Sequence, residues 1–142
     1  MDVERVHIAV ADDNPLDVAT LREVLDNAGL DYELTVAADG EEARDFILKR
    51  GPYRNFAPAD VIFLDMNMPK LTGLEVLREI PDSAELPVCM LTSSERERQL
   101  IDQHFAPRKI CYIAKPVDEK HLLACLLSHH KLRPIAERLA KH

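Results

Sequence analysis

The stretch Val61-Ile62-Phe63-Leu64-Asp65-Met66-Asn67-Met68-Pro69, followed by Gly73, constrains this chain more than any other. A continuous run of apolar, strand-forming residues offers no polar face to water, which is the pattern of a strand covered on both faces inside a parallel sheet. The run ends on a carboxylate. In open α/β sheets ligands bind in the crevice outside the carboxyl ends of the strands, so Asp65 lies where chemistry is expected. Pro69 and Gly73 keep the strand from continuing and shape a loop before the next helix.

The rest of the chain supplies the neighbours such a strand needs. Val6-His7-Ile8-Ala9-Val10-Ala11 reads as a first buried strand that stops at Asp12-Asp13-Asn14-Pro15, with Asn14 as helix N-cap and Pro15 at the first helical position. Val18, Leu21, Val24, Leu25 and Ala28 recur at helical spacing, and Gly29 can end that helix in a left-handed conformation. Tyr32 to Ala37 predicts a second strand. Asp39-Gly40 punctuates it, and a helix with Ala43, Phe46 and Ile47 inward runs as far as Gly51-Pro52. Gly51 to Ala59 is expected to be an ordered loop.

After the Asp65 strand, the pattern predicts a short helix from Leu74 to Ile80, closed by Pro81, and a fourth strand from Pro87 to Thr92. Ser94 and Glu97 have capping-box spacing for a helix carrying Leu100, Ile101 and Phe105. Ile110 to Ala114 is the fifth strand, followed by Lys115-Pro116 and a helix with Val117, Leu122, Leu123, Leu126 and Leu127 inward. Pro134 interrupts that pattern, so residues 132–142 read as an extension, either a short helix or a tail, beyond a domain of residues 1–131. Strands alternating with helices predict right-handed crossovers and a doubly wound, five-stranded parallel sheet of the α/β class.

Composition then narrows the function. The 142 residues fit one ordinary domain, large enough to bury a core without a structural metal or disulfides. A formal net charge of -7 argues against binding DNA or a membrane surface, because both need clustered Lys and Arg. No apolar run is long enough to span a membrane and no signal peptide pattern opens the chain, so a cytoplasmic location is expected. Cys89, Cys111 and Cys125 are odd in number, lie in apolar surroundings and lack CxxC spacing, which predicts reduced core cysteines. The six histidines lack zinc-type spacing with cysteine and are expected at the surface, His129-His130 at a solvated helix end.

Four strand ends carry distinctive polar residues: Asp12-Asp13, Asp65, Thr92 and Lys115. A parallel sheet brings these ends to one edge. Three acidic side chains in one cleft repel unless a cation joins them, and oxygen-only ligands point to a hard ion such as Mg²⁺, which prefers one or two carboxylates plus a phosphate oxygen. That leaves room for a phosphoryl group, with Asp65 as nucleophile and Asp12, Asp13, Lys115 and Thr92 around it. No GxSxG, HExxH or glycine-rich P-loop offers another chemistry. Each residue also has a plainer explanation. Asp12-Asp13-Asn14 alone reads as a helix cap, Lys115 as a solvated lysine, Thr92 as an ordinary strand residue, Tyr112 as a half-buried strand aromatic and Asn67 as a turn former.

The set Asp12-Asp13, Asp65 with Pro69 and Gly73, Thr92 and Lys115-Pro116 resembles the receiver domain of two-component response regulators, over nearly the whole chain. Gly51-Pro52-Tyr53, Asp60 to Pro69 with Asn67, and Cys111-Tyr112-Ile113 further resemble the stand-alone regulators paired with bacterial phytochromes. The resemblance implies a CheY-like, flavodoxin-like (βα)5 fold with strand order 2-1-3-4-5. It implies that Asp65 accepts a phosphoryl group from a histidine kinase, one of phytochrome photoreceptor type in the narrower match. By the same resemblance the backbone carbonyl of Asn67 completes a Mg²⁺ shell, Lys115-Pro116 is a cis peptide, and Thr92 and Tyr112 form a switch pair acting on the face of the fourth helix, fifth strand and fifth helix. The output then passes to an unknown downstream protein or a homodimer. Such a protein is a switch that catalyses its own phosphorylation and slow dephosphorylation rather than a turnover enzyme. Two alternatives stand beside it: a receiver-like module that docks without phosphorylation, and an aspartate-nucleophile phosphatase, whose usual second Asp is here replaced by Asn67.

Overall fold

A computed structural model describes residues 5–81, 86–105, 110–127 and 132–140. Every residue of β3 (Val61–Asp65) is buried, as its unbroken apolar run requires. It lies at the centre of a five-stranded, all-parallel sheet of order β2-β1-β3-β4-β5, with β1 at Val6–Ala11, β2 at Tyr32–Ala37, β4 at Val88–Thr92 and β5 at Cys111–Ala114. The helices alternate with the strands: α1 (Pro15–Asn27), α2 (Gly40–Leu48), α3 (Gly73–Glu79), α4 (Glu95–Phe105) and α5 (Glu119–Leu127), followed by α6 (Arg133–Ala140). This is the flavodoxin-like order. Among the described residues no helix is long and apolar enough to cross a membrane.

The pleat of β3 divides the core into two layers, because successive side chains point to opposite faces. Val61 and Phe63 join Ile8, Val10 and Leu91 under α1, α5 and α6, where Leu21, Leu25, Leu122 and Leu126 close the layer. Ile62 and Leu64 join Ala9, Ala11 and Met90 under α2, α3 and α4, where Phe46, Val76, Leu77 and Ile101 close the other. Asp65 pairs with Leu91 and Thr92 with Ala114, so the carboxyl ends of the strands finish nearly level.

Local signals set the helix ends. Asn14 Oδ1 accepts the Leu16 N–H at 2.9 Å and Pro15 occupies the first turn of α1. Gly29 follows α1 with φ of 76°, a left-handed value that costs glycine little. Asp39 caps α2 by accepting the Glu42 N–H at 2.8 Å, and Thr72 and Glu75 make a reciprocal capping box, so α3 begins at Gly73. The Gly51–Ala59 stretch is ordered. Gly51–Tyr53 forms a single 3-10 turn, Phe46, Tyr53 and Phe56 stack edge to face, and Asp60 Oδ2 accepts the His7 N–H at 2.8 Å.

Several expectations need correction. His7 is not a free surface histidine. Its ring nitrogens lie 3.1 Å from the Pro58 carbonyl and 2.9 Å from Thr35 Oγ1, and the ring meets Phe46 edge-on, so it ties β1 to β2 and to the following loop. Leu127 faces outward at 40% exposure, one residue past the inward stripe of α5. Cys111 and Cys125 are joined as a disulfide, not reduced, because the crossing of α5 over β5 brings their Cα atoms to 6.1 Å, a proximity that spacing along the chain does not reveal. Cys89 remains a free, buried thiol with its Sγ 2.8 Å from that of Cys125, and burial pushes its pKa up. The Phe105 side chain and His129-His130 lie outside the described residues.

Candidate active site

The level strand ends bring the predicted polar residues together. Asp12 follows β1, Asp65 ends β3, Thr92 ends β4 and Lys115 follows β5. Asp12, Asp65 and Thr92 are buried, at 3%, 4% and 3% exposure, which is unusual for carboxylates and demands partners. The principal partner is Lys115. Its Nζ lies 3.0 Å from Asp12 Oδ2, 3.0 Å from Asp65 Oδ1 and 2.7 Å from Asp17 Oδ2. The Lys115–Pro116 peptide is cis, and the Lys115 N–H donates to the Thr92 carbonyl at 2.8 Å, which fixes where the side chain sets out.

The electrostatics follow from burial and pairing. Burial pushes the Asp12 carboxyl up to about 6, aided by the neighbouring Asp65 charge and opposed by the Asn14 N–H and by Lys115. Burial works against the Lys115 ammonium too, but its pairing with Asp17, Asp12 and Asp65 outweighs it and holds the lysine above its ordinary range. Asp12 Oδ1 accepts the Asn14 N–H at 2.9 Å. Asp12 Oδ2 is fully buried and has no aligned hydrogen bond, since Lys115 meets it at ion-pair distance but off the bonding direction. A buried oxygen in that condition is a place where a cation gains most.

Asp13 is exposed, yet one carboxylate oxygen each from Asp12, Asp13 and Asp65 all lie within 4.8 Å of one another. Hard oxygen donors at that spacing, two of them on buried residues, fit Mg²⁺.

The loop after Asp65 is built for close approach. A Cβ on Gly73 would collide with the Asp65 carbonyl oxygen and meet Met66 Cα at 3.0 Å, so only glycine lets α3 start this near the strand end. Gly73 N–H donates to Met66 O at 3.1 Å, and Met66 N–H donates to Leu91 O at 3.2 Å, pinning the loop to β4. Asn67 is exposed, with its N–H 3.4 Å from Asp65 Oδ1 and its Nδ2 donating to Glu97 Oε2 at 2.6 Å. Tyr112 stands apart from the carboxylates. It is half-buried on β5 opposite Met90, with the Arg98 guanidinium carbon 4.2 Å from its ring centroid.

Two residues of the site escaped the sequence reading. Asp17 carries no sequence signal beyond that of an acid in the first turn of a helix, and only its spatial approach to Lys115 distinguishes it. Glu97 was read as a capping-box residue; Ser94 Oγ does accept its N–H at 3.2 Å, but its carboxylate takes the Ser93 N–H at 2.7 Å and the Asn67 side chain as well.

Comparison with known proteins agrees with this geometry. The response regulator receiver domain family matches residues 8–127. The response regulator Rcp1 of Synechocystis is 36% identical over 118 residues, 81% of this chain and 80% of that protein. Its Mn²⁺-bound crystal structure matches with a TM-score of 0.65 at 31% identity, covering 92% of this chain and 91% of that one. The bacteriophytochrome response regulator AtBRR gives a TM-score of 0.78 at 32% identity over 87% of this chain and 91% of that one. The phosphorylated cyanobacterial phytochrome response regulator RcpA gives 0.69 at 30% identity over 94% and 93%.

Proposed function

The chain belongs to the response regulator receiver domain family, and from that premise we propose that Asp65 accepts a phosphoryl group from a histidine kinase and that its arrival resets the face built from α4, β5 and α5. The observation that carries the reading is Lys115 Nζ held 3.0 Å from the buried Asp65 Oδ1. A cation at that place can neutralise a phosphoryl oxygen as soon as the carboxylate is esterified.

In the transfer, an Asp65 carboxylate oxygen attacks phosphorus while the phosphorus–nitrogen bond of the phosphohistidine breaks. The bonding pair stays on the imidazole nitrogen, which takes up a proton. Asp12, Asp13, Asp65 and the Asn67 carbonyl would hold Mg²⁺, which would supply positive charge to a phosphoryl oxygen. Lys115 turns an N–H from Asp65 Oδ1 to a second phosphoryl oxygen, and the Thr92 hydroxyl donates to a third. Thr92 moves toward the new group and Tyr112 turns into the space it leaves, which shifts a population of the α4–β5–α5 face.

Two of the similar proteins, AtBRR and RcpA, are named as phytochrome response regulators, so a phytochrome-type kinase is the donor this reading favours. A downstream protein, or a second copy of the chain, reads the shifted face.

Intact mass after incubation with acetyl phosphate and Mg²⁺ tests the acceptor. The reading expects a gain of one phosphoryl group, about 80 Da, that needs Mg²⁺ and vanishes in Asp65→Asn. Wild-type protein that gains nothing would sink it.

A further inference from the structure

Among the described residues, Asp17 is the one carboxylate at Lys115 to which the proposed transfer gives no task. It is the third residue of α1, where its N–H donates to the Asn14 carbonyl at 3.1 Å. An acid in a first helical turn has a ready explanation in the helix dipole, and that explanation needs no side-chain partner. Asp17 nevertheless has one, 98 residues away. Its Oδ2 lies 2.7 Å from Lys115 Nζ, shorter than the lysine's 3.0 Å contacts with Asp12 and with Asp65.

An ammonium offers three N–H donors, and three carboxylates surround this one. Two of them are claimed during the reaction. Asp12 faces the cation, and Asp65 loses its free carboxylate when it becomes the acyl phosphate. If those were the only anchors, Lys115 would lose its hold at the moment its position matters. Asp17 belongs to neither group, sits at the rim with 30% of its side chain exposed, and is carried by a helix whose first turn is fixed by Asn14.

We propose that Asp17 is a positioning residue for Lys115: it keeps one N–H of the ammonium while another swings from Asp65 to the phosphoryl oxygen. The proposal rests on Asp65 being the acceptor. It explains why the lysine's shortest contact is to the carboxylate that the chemistry does not touch. With acetyl phosphate as donor, an Asp65 oxygen bonds to phosphorus, the phosphorus–oxygen bond to acetate breaks, and acetate leaves with the electron pair, so Asp17 exchanges no atom or proton.

Two measurements on Asp17→Ala and Asp17→Asn decide the matter. The first is the NMR order parameter of the Lys115 13Cε in Mg²⁺-loaded protein, which reports how tightly the ammonium end is held. The second is the initial rate of mass gain at saturating acetyl phosphate and Mg²⁺. Asp17→Ala should lower the order parameter and slow the rate about tenfold, the scale of a misplaced catalytic group. Asp17→Asn keeps an acceptor oxygen and should stay within about threefold of wild type in rate, with Mg²⁺ affinity of both variants also within about threefold.

An unchanged order parameter with a rate within about twofold of wild type would leave Asp17 as a dipole acid and overturn the proposal. Equal slowing in both variants would overturn it too, since charge rather than position would then be at work. Wild-type protein that never gains a phosphoryl group would defeat the reading of Asp65 instead, while the order parameter would still show whether Asp17 holds the lysine.

Discussion

Asp12→Asn should stabilise the protein in the absence of metal, and by an amount that depends on pH. The Asp12 side chain has no exposure to solvent, and its carboxyl is raised from 3.8 to about 6, chiefly by burial. At about 1.36 kcal/mol per pH unit, that rise corresponds to roughly 3 kcal/mol. Well below pH 3.8 the group is protonated folded and unfolded, so it costs nothing. As pH climbs from about 4 to 7 the unfolded chain releases the proton first, the native state is penalised, and the full cost stands at pH 8. Asparagine keeps an acceptor for the Asn14 N–H, never ionises and escapes the cost. Thermal melts in chelator should therefore show the variant more stable by up to about 3 kcal/mol at pH 8, a rise of about 10 °C for a chain of this size, with the advantage shrinking toward pH 4.5. Added Mg²⁺ should close the gap at about one hundred times its Kd, where it stabilises wild type by about 2.7 kcal/mol, and reverse the order near one thousand times, where the gain is about 4.1 kcal/mol, because the variant has lost a ligand. A variant less stable than wild type in chelator at pH 8, or a gain that is the same at both pH values, would refute the argument that charge burial governs this site.

Asp13→Asn should behave differently, because Asp13 is exposed: apo stability changes by less than about 0.5 kcal/mol in the same melts, while Mg²⁺ titration shows clearly weaker binding. Gly73→Ala should cost about 1–3 kcal/mol in denaturant unfolding, since its Cβ collides with the backbone of the Asp65 strand end, and should weaken Mg²⁺ binding by moving that carboxylate. Glu97→Ala should cost about 1 kcal/mol, the scale of a lost cap, in the same unfolding assay. Alkylation of unfolded, unreduced protein should modify Cys89 alone, and all three cysteines after reductant; three modified thiols without reductant would rule out the Cys111–Cys125 bond.

The fold was legible because each strand carries its own evidence. An apolar run such as Val61–Leu64 excludes a half-exposed strand, and a polar residue at each run's end marks the edge where the ends meet. What lies between elements was harder to read. Asn14 and Pro15 announce the start of α1, but nothing in the sequence says that Asp17 turns toward a lysine 98 residues on, because dipole and ion pair call for the same residue type at that position. The Cys111–Cys125 bond was missed for a related reason. It depends on where α5 crosses β5, which is a property of packing and not of spacing. The weight of the acidic pocket falls on Asp12 and not on Asp13: two adjacent aspartates look alike in sequence, and the chain direction after β1 buries one and exposes the other.

Adjacent residues on α4 reach in different directions, and this gives the helix a mechanical part in any switch. Glu97 grips the loop after Asp65 through Asn67 Nδ2 at 2.6 Å, and Arg98 lies over the Tyr112 ring at 4.2 Å. One turn of helix therefore touches both the strand end that would carry the phosphoryl group and the aromatic that would answer it. Ile101, fully buried one turn further along, anchors the same helix to the core. A helix moves as a unit more readily than it bends, because bending lengthens its hydrogen bonds. On the proposed reading, a shift of the Asn67 loop would reach Arg98 as a displacement of α4 about its buried anchor, and would change the stacking of Arg98 on Tyr112. Coupling of this kind needs two discrete arrangements of one packed element, and the paired grips of Glu97 and Arg98 define what the first of them is.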